Sequence, residues 1–498
     1  MERGSGVLMH VSSLPGKYGI GTFGSEAYKF IDFVQKAGLK YWQILPLGHT
    51  GYGDSPYQCF TAYAGNPYFI DFDLLNKNGL LNRDEYEHEY YQSNEERVDY
   101  GLIYNAKYKV LKIAYEKYKS REDIKIKVKN FKEENSDWLD DYSLYMALKH
   151  EFNYKSWYEW DDDIKFRKKE ALNRYKEKLK DEIEYWCFIQ YLFFTQWKDV
   201  KGYANEKGIE IIGDIPIYVS ADSVDIWSKP ENFKIDEKTL EPISVAGCPP
   251  DAFSSTGQLW GNVIYDWDYM KKNDYEWWIN RIKENFKLYD VVRIDHFRGL
   301  ESYWEILYGE TTAVNGKWSK GPAMDLFKVI NEKLGDVNII AEDLGFLTDD
   351  VIKFVKESGC PGMKVLQFAF DGSNRNHYLP HNYERNCVAY TGTHDNDTCM
   401  GWYESTSSEN DRKNAREYLG LNKEEGYNWG LIRGIWSSVA DIAIAQMQDF
   451  LGIGNEGRMN LPSSLGGNWS WRMKGDVELG KLADKILKIN YRYSRSNF

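Results

Sequence analysis

Arg, Asp, Glu and His collect at the ends of apolar runs in this 498-residue chain. The densest run is Val291-Val292-Arg293-Ile294-Asp295-His296-Phe297-Arg298, which begins as a β-branched, apolar strand and then turns polar. Side chains alternate along a strand, so Arg293 and Asp295 share one face and Ile294 and His296 the other. A guanidinium beside a carboxylate lowers its pKa, which suits a nucleophile that must stay ionised. A structural ion pair at a strand end uses the same two residues, and this strand alone does not separate the two readings.

Three more runs end in acids: Gly213-Asp214-Ile215-Pro216, Ala341-Glu342-Asp343-Leu344-Gly345, and Thr391-Gly392-Thr393-His394-Asp395-Asn396-Asp397. Another run carries His10. One such acid reads as a cap. Acids closing four separate strands read as an active site assembled from strand ends. With abundant aromatics and no cofactor motif, the chemistry indicated is cleavage of a glycosidic bond, which needs one ionised and one protonated carboxyl. Asp295, beside Arg293, is the natural ionised member. Glu342 follows apolar Ile339-Ile340-Ala341, so burial and the charge of Asp295 both raise its pKa. Neighbouring strands lie about 4.8 Å apart, compatible with the roughly 5–5.5 Å carboxyl spacing of retaining enzymes.

The competing reading is a divalent cation held by His394, Asp395, Asp397, His296 and Asp295. No H-x-H or H-E-x-x-H spacing is present, and Arg293 and Arg298 would repel a cation. Neither a metal nor a cofactor is expected. Gly19-Ile20-Gly21-Thr22-Phe23-Gly24 matches the dinucleotide-binding glycine pattern, but no acidic residue follows in the right context, and a loop opening a helix near Ser25 explains it.

Eight apolar segments set the frame: Val7–Leu14, Tyr41–Leu47, Ile209–Val219, Val291–Phe297, Val337–Leu344, Met363–Phe370, Cys387–His394 and Ile442–Phe450. Helical patterns over Ser25–Ala37, Trp277–Leu288, Met324–Leu334 and Thr348–Ser358 lie between several of them. This rhythm predicts an α/β fold, a (β/α)8 barrel in one catalytic domain spanning residues 1–498. A bare barrel takes about 250 residues, so roughly half the chain is insertion. Large insertions are expected after the second and third strands, at about 48–208 (helical in large part) and about 220–289 (loops covering a groove). Gly247–Asp251 and Gly257–Asn262 carry enough Gly and Pro to predict turns rather than regular structure.

A formal net charge of −13 argues against tracking nucleic-acid phosphates and fits a neutral partner. Aromatic residues make up 16%; core packing accounts for most of them, and flat rings can also stack on sugar faces. The six cysteines are scattered without metal or disulfide spacing, so reduced thiols and a cytoplasmic location are expected. No signal peptide and no run of about 18 apolar residues is apparent, so no membrane partner is expected. Nothing in the sequence sets an oligomeric state.

The sequence resembles the 4-α-glucanotransferases of glycoside hydrolase family 77, the amylomaltases or disproportionating enzymes of the α-amylase clan. The matching stretches include His10–Gly24 (HVSSLPGKYGIGTFG), Tyr41–Pro46 (YWQILP), Gly53–Pro67 (GDSPYQCFTAYAGNP), Gly213–Val219 (GDIPIYV) and Gly247–Asn262. Further on come Arg293–Gly299 (RIDHFRG), Ala341–Gly345 (AEDLG), Pro361–Asp371 (PGMKVLQFAFD), Gly392–Thr398 (GTHDNDT) and Gly457–Trp471 (GRMNLPSSLGGNWSW). The resemblance implies that Asp295 is the nucleophile, Glu342 the general acid/base and Asp395 the third acid. It implies that Arg293 is the positioning Arg, that His296 and His394 bond substrate hydroxyls, and that Asp214 shapes the same pocket. Tyr57 and Trp260 match positions that line the sugar groove. The implied substrates are α-1,4-glucans and maltooligosaccharides, with glucose as an acceptor.

Three departures stand out: Cys399-Met400 after GTHDNDT, Ala252 where an aromatic is frequent, and Leu259 where a charged residue is frequent. The last two fall on the expected groove-covering loop and bear on donor and acceptor preference. An α-glucan hydrolase of the same clan is the alternative activity. A non-catalytic glucan-binding barrel is the alternative class, and it would be expected to lack at least one of the three acids.

Overall fold

The computed structural model describes every residue except 52, 251–253, 346, 465 and 497–498. Its strands, in chain order, are β1 (Gly4–Leu8), β2 (Tyr41–Gln43), β3 (Glu210–Pro216), β4 (Ser244–Cys248), β5 (Gln258–Val263) and β6 (Val291–Asp295). They continue with β7 (Ser302–Leu307), β8 (Lys317–Lys320), β9 (Ile339–Ala341), β10 (Gly362–Val365), β11 (Cys387–Tyr390) and β12 (Ile442–Gln446). Eight of these form one parallel sheet in the order β10-β11-β12-β1-β2-β3-β6-β9. The two ends meet where the Ala341 amide donates to the Pro361 carbonyl at 2.9 Å, so the sheet is a nearly closed TIM barrel, as the strand–helix rhythm predicts.

The barrel strands are Val-, Ile- and Ala-rich and buried because helices cover the outside and side chains fill the inside. Helices at Ser25–Lys36, Glu276–Leu288, Met324–Leu334 and Asp349–Ser358 lie within a residue of the predicted spans. The last is capped by Thr348, whose hydroxyl accepts from the Val351 amide, and ends at Gly359 in the left-handed conformation. Register places the polar residues. Ile294 pairs with Ala341, so Asp295 and Glu342 are the next residues on neighbouring strands, and Asp214 pairs with Arg293 on the other side.

Between β2 and β3 lie the helices Tyr100–Tyr118, Glu122–Glu134, Ser136–Glu151 and Lys180–Glu206. The last of these is tied to the chain near the barrel mouth by two buried amides. Gln190 exchanges two hydrogen bonds with the backbone of Gly65, and Gln196 does the same with Asp71.

One expectation is corrected. The stretches Gly247–Asp251 and Gly257–Asn262 are expected as turns, but Gly247 and Cys248 belong to β4 and residues 258–262 to β5. These strands pair antiparallel with each other, while β4 pairs also with β7 and β7 with β8, in a sheet ordered β5-β4-β7-β8. Partners distant in sequence override local turn chemistry there. A Cβ on Gly247 would meet the Gln258 carbonyl at 2.3 Å, so glycine is what lets β5 approach β4. Because β7 and β8 follow β6, the loop after the fourth barrel strand also contributes, beside the two insertions expected. Among the described residues no helix is long and apolar enough to cross a membrane.

At the opposite end of the barrel, Arg495 is fully buried and its guanidinium donates to the carbonyls of Gly4, Trp436, Ser438, Ala440 and Asp441. It satisfies backbone groups where β1 and β12 begin. Arg3 also reaches the Ser438 and Ala440 carbonyls and the Gly4 amide the Asp441 carbonyl, so Arg495→Ala is expected to cost on the order of 3 kcal/mol chiefly through its lost bonds to Gly4 and Trp436 and the cavity left behind. Urea unfolding measures this, and an unchanged midpoint would show that water replaces the guanidinium freely.

Candidate active site

Arg293 is buried at the C-terminal end of β6 and bridges two carboxylates. Its Nη1 donates to Asp214 Oδ2 at 2.5 Å and its Nη2 to Asp295 Oδ1 at 2.9 Å, while Nε faces Met363 Sδ at 3.4 Å. Burial opposes the Arg293 charge, yet Asp214 and Asp295 outweigh it and hold its pKa above the ordinary value. Tyr57, from the first insertion, donates its hydroxyl to the same Asp214 oxygen at 2.9 Å.

The sequence argument has Arg293 lowering the Asp295 pKa. The structure shows a different balance. Burial raises the Asp295 carboxyl above its ordinary value and Arg293 pulls it back, while Asp214 and Asp395 add to the rise. The main physical reason is burial, and Arg293 offsets it only in part because one guanidinium serves both Asp214 and Asp295. The Asp295 side chain is 30% exposed, which leaves it open to the barrel mouth.

Glu342 follows β9. Its carboxyl oxygens accept from the His296 amide at 2.7 Å and the Leu344 amide at 2.9 Å. His296 aims its amide this way because it sits in the left-handed region at φ 50°, turning the chain just past Asp295. Burial first, and then the charge of Asp295, push the Glu342 carboxyl up to about 8 against the pull of Arg293 and the two amides. At neutral pH the pair therefore divides into a protonated Glu342 and an Asp295 held by Arg293.

Asp395, after β11, is fixed from a third direction. Its Oδ2 lies 3.4 Å from His394 Nε2, and its Oδ1 accepts from Asn460 Nδ2 at 2.6 Å. Arg458 Nη2 donates to the Asp395 carbonyl at 2.7 Å. The Tyr57 ring stacks on His394 with centroids 5.1 Å apart, and Trp469 packs against both. Trp260, on β5, meets His296 edge-on at 4.8 Å. Burial depresses His296 and His10 to about 3, so both rings are neutral. The Leu45 amide donates to His10 Nδ1, which assigns the ring proton to Nε2.

Contacts thus link all nine residues singled out from the sequence at the C-terminal mouth of the barrel: Asp214, Arg293, Asp295, His296, Glu342, His394, Asp395, Tyr57 and Trp260. Arg298, which the sequence left without a role, lies with its guanidinium 4.3 Å from the Trp318 ring centroid. Cys399 is buried, and its amide donates to Asp449. Leu259 is exposed on β5, and Ala252 lies outside the described residues. Sequence reasoning missed Arg458, Asn460 and Trp469 as site residues. Their stretch stood out only by resemblance, and nothing in its spacing ties it to Asp395, 65 positions earlier. Among the described residues, no group of three or more His, Cys, Asp or Glu side chains is arranged to hold a metal ion.

Fold and site together define the class: a TIM barrel whose carboxylates converge at the C-terminal mouth, with an unequal acid pair on neighbouring strands. The chain belongs to the 4-alpha-glucanotransferase family, glycoside hydrolase family 77, whose model matches residues 9–478. It is 60% identical over 487 residues to the Clostridium butyricum 4-alpha-glucanotransferase, covering 98% of this chain and all of that one. The Solanum tuberosum chloroplastic/amyloplastic 4-alpha-glucanotransferase is 42% identical over 504 residues, with 99% of this chain and 87% of that protein covered. The structure of the Streptococcus agalactiae amylomaltase in complex with acarbose superposes with a TM-score of 0.97 at 44% identity, each chain covered completely.

Because the charge of Asp295 helps hold Glu342 protonated, Asp295→Asn is expected to lower the Glu342 pKa from about 8. A carboxyl-carbon NMR titration of Glu342 reads this directly. A pKa unchanged by the substitution would leave burial as its cause.

Proposed function

We propose that this protein transfers a segment of an α-1,4-glucan to the 4-hydroxyl of another glucan or of glucose, by a retaining double displacement. The observation that carries the mechanism is the unequal setting of the neighbouring acids: Asp295 accepts from Arg293 Nη2 at 2.9 Å, whereas Glu342 accepts from two main-chain amides and is pushed up by burial and the Asp295 charge. The substrate class is supported by membership of the 4-alpha-glucanotransferase family and by the acarbose complex of the related amylomaltase. Tyr57 and Trp260 reach the barrel site from the two insertions, which supports one catalytic unit across the chain. Cys59, Cys187, Cys360, Cys387 and Cys399 are thiols outside any disulfide, in keeping with a cytoplasmic location.

In the first step Glu342 gives its proton to the glycosidic oxygen while an Asp295 oxygen attacks the anomeric carbon. The old C–O bond breaks and the shortened chain leaves with the proton. A glycosyl ester on Asp295 remains, reached through an oxocarbenium-like transition state. Arg293 and the Asp214 behind it aim the attacking oxygen. Asp395 holds ring hydroxyls and favours distortion of the sugar towards the transition state, with His394 and His296 bonding hydroxyls beside it. In the second step Glu342, now a carboxylate, takes the proton of an incoming 4-hydroxyl. That oxygen attacks the anomeric carbon and Asp295 departs as a carboxylate, so the configuration is retained.

A hydrolase of the same clan shares the first step and differs in its acceptor. Incubation with maltotriose separates them: transfer gives glucose together with oligosaccharides longer than the substrate, whereas hydrolysis gives glucose and maltose with no elongation. A barrel that binds glucan without turning it over gives no product. Asp295→Asn is expected to lower kcat by about 10⁴-fold or more while the protein still unfolds cooperatively. Activity near that of the wild type would remove Asp295 from the role of nucleophile.

The pH dependence has a definite sign. Glu342 acts first as an acid, so the alkaline limb of kcat/KM should fall as pH rises through about 8, while the need for an ionised Asp295 sets a separate acid limb below it. A profile still level well above it would show that another group donates the proton.

A further inference from the structure

Asp395 differs from the other two acids in how it is held. Its side chain is 42% exposed, which would let a carboxylate rotate into solvent, yet Oδ1 is hydrogen-bonded and Oδ2 lies 3.4 Å from His394 Nε2. The firmer contact is the 2.6 Å hydrogen bond from Asn460 Nδ2 to Oδ1. Asn460 is itself fixed from several sides. Its amide donates to the His394 carbonyl at 3.1 Å, and its carbonyl accepts from Arg458 Nε at 2.8 Å. The same Arg458 donates through Nη2 to the Asp395 carbonyl, so one guanidinium clips residue 460 to residue 395 through main-chain oxygens.

Behind this clip the Trp469 amide donates to the Met459 carbonyl at 2.7 Å. Trp469 holds the left-handed conformation at φ 60°, an unfavourable state for a bulky residue, and in it packs against His394 and Tyr57. The strained backbone thus braces the clip against the same aromatic pair that flanks Asp395.

The choice of an amide matters electrostatically. Arg293 partly neutralises Asp295, but Asn460 fixes Asp395 without adding a countercharge. The Arg458 guanidinium, for its part, is turned onto main-chain carbonyls. Asn460 thus orients the Asp395 side chain without setting a guanidinium against it, facing the place where positive charge develops in an oxocarbenium-like transition state. We propose that Asn460, locked by Arg458, is a positioning residue that holds Asp395 in its working orientation. This rests on the transfer mechanism proposed above.

The test is Asn460→Asp and Asn460→Ala, assayed with maltotriose across pH beside the wild type. In Asn460→Asp a protonated carboxyl can still donate to Asp395. As pH rises it ionises, two carboxylates repel, and Asp395 swings away. The other charged or titratable groups here are His394, Tyr57, Asp295 and Arg458, all present in the wild-type control. The kcat ratio of Asn460→Asp to wild type is expected to fall about tenfold or more between about pH 5 and about pH 8. Asn460→Ala is expected to lose a similar factor in kcat at every pH, with KM little changed. A purely structural role would lower both variants alike with no pH-dependent ratio, and that result overturns the proposal, as does wild-type kcat in both. If Asn460→Ala does not fold, the pH dependence of the Asn460→Asp ratio still decides. Elongation of maltotriose by the wild type is read first, and its failure strikes the proposed activity rather than the role of Asn460.

Discussion

A single buried guanidinium is the constraint on which the site depends. Arg293 lies deep at the end of β6, where an unpaired charge would cost several kcal/mol. It is compensated by Asp214 from β3 and Asp295 on its own strand. Because it is shared, it directs Asp295 without extinguishing its charge. That surplus charge, together with burial, keeps the neighbouring Glu342 protonated. Burial is the larger cause of the raised Glu342 pKa, and the Asp295 charge adds to it. The acid–nucleophile asymmetry is thus a property of three strands, β3, β6 and β9, held in one register.

The insertions complete what the barrel begins. Tyr57 from the first insertion bonds Asp214 and stacks on His394, joining the Arg293 trio to Asp395. Trp260 from the second meets His296, whose turned backbone supplies an amide to Glu342. A change in either insertion can therefore reach the acids through one or two contacts, without altering the barrel itself.

The sequence disclosed the barrel because its strands are buried on both faces and read as short apolar runs with acids at their ends. The candidate constellation was legible for the same reason: Asp214, Asp295, Glu342 and Asp395 each close such a run. What escaped was what depends on partners distant in the chain. The strands β4 and β5 were hidden because Gly247 fits its sheet by lacking a side chain. The hold of Asn460 and Arg458 on Asp395 has no periodicity to betray it. The sequence also credited Arg293 wholly to Asp295, since nothing in one strand shows that Asp214 competes for it.

The covalent role proposed for Asp295 is the centre of the proposed mechanism, and trapping it is the most direct measurement. Glu342→Gln removes the base needed for the second step, while a glycosyl fluoride donor such as α-maltosyl fluoride leaves without acid assistance. Intact-protein mass spectrometry should then show one added maltosyl group, and peptide mapping should place it on Asp295. A modified residue elsewhere, or turnover of the fluoride with no covalent adduct and inverted product, would contradict the double displacement.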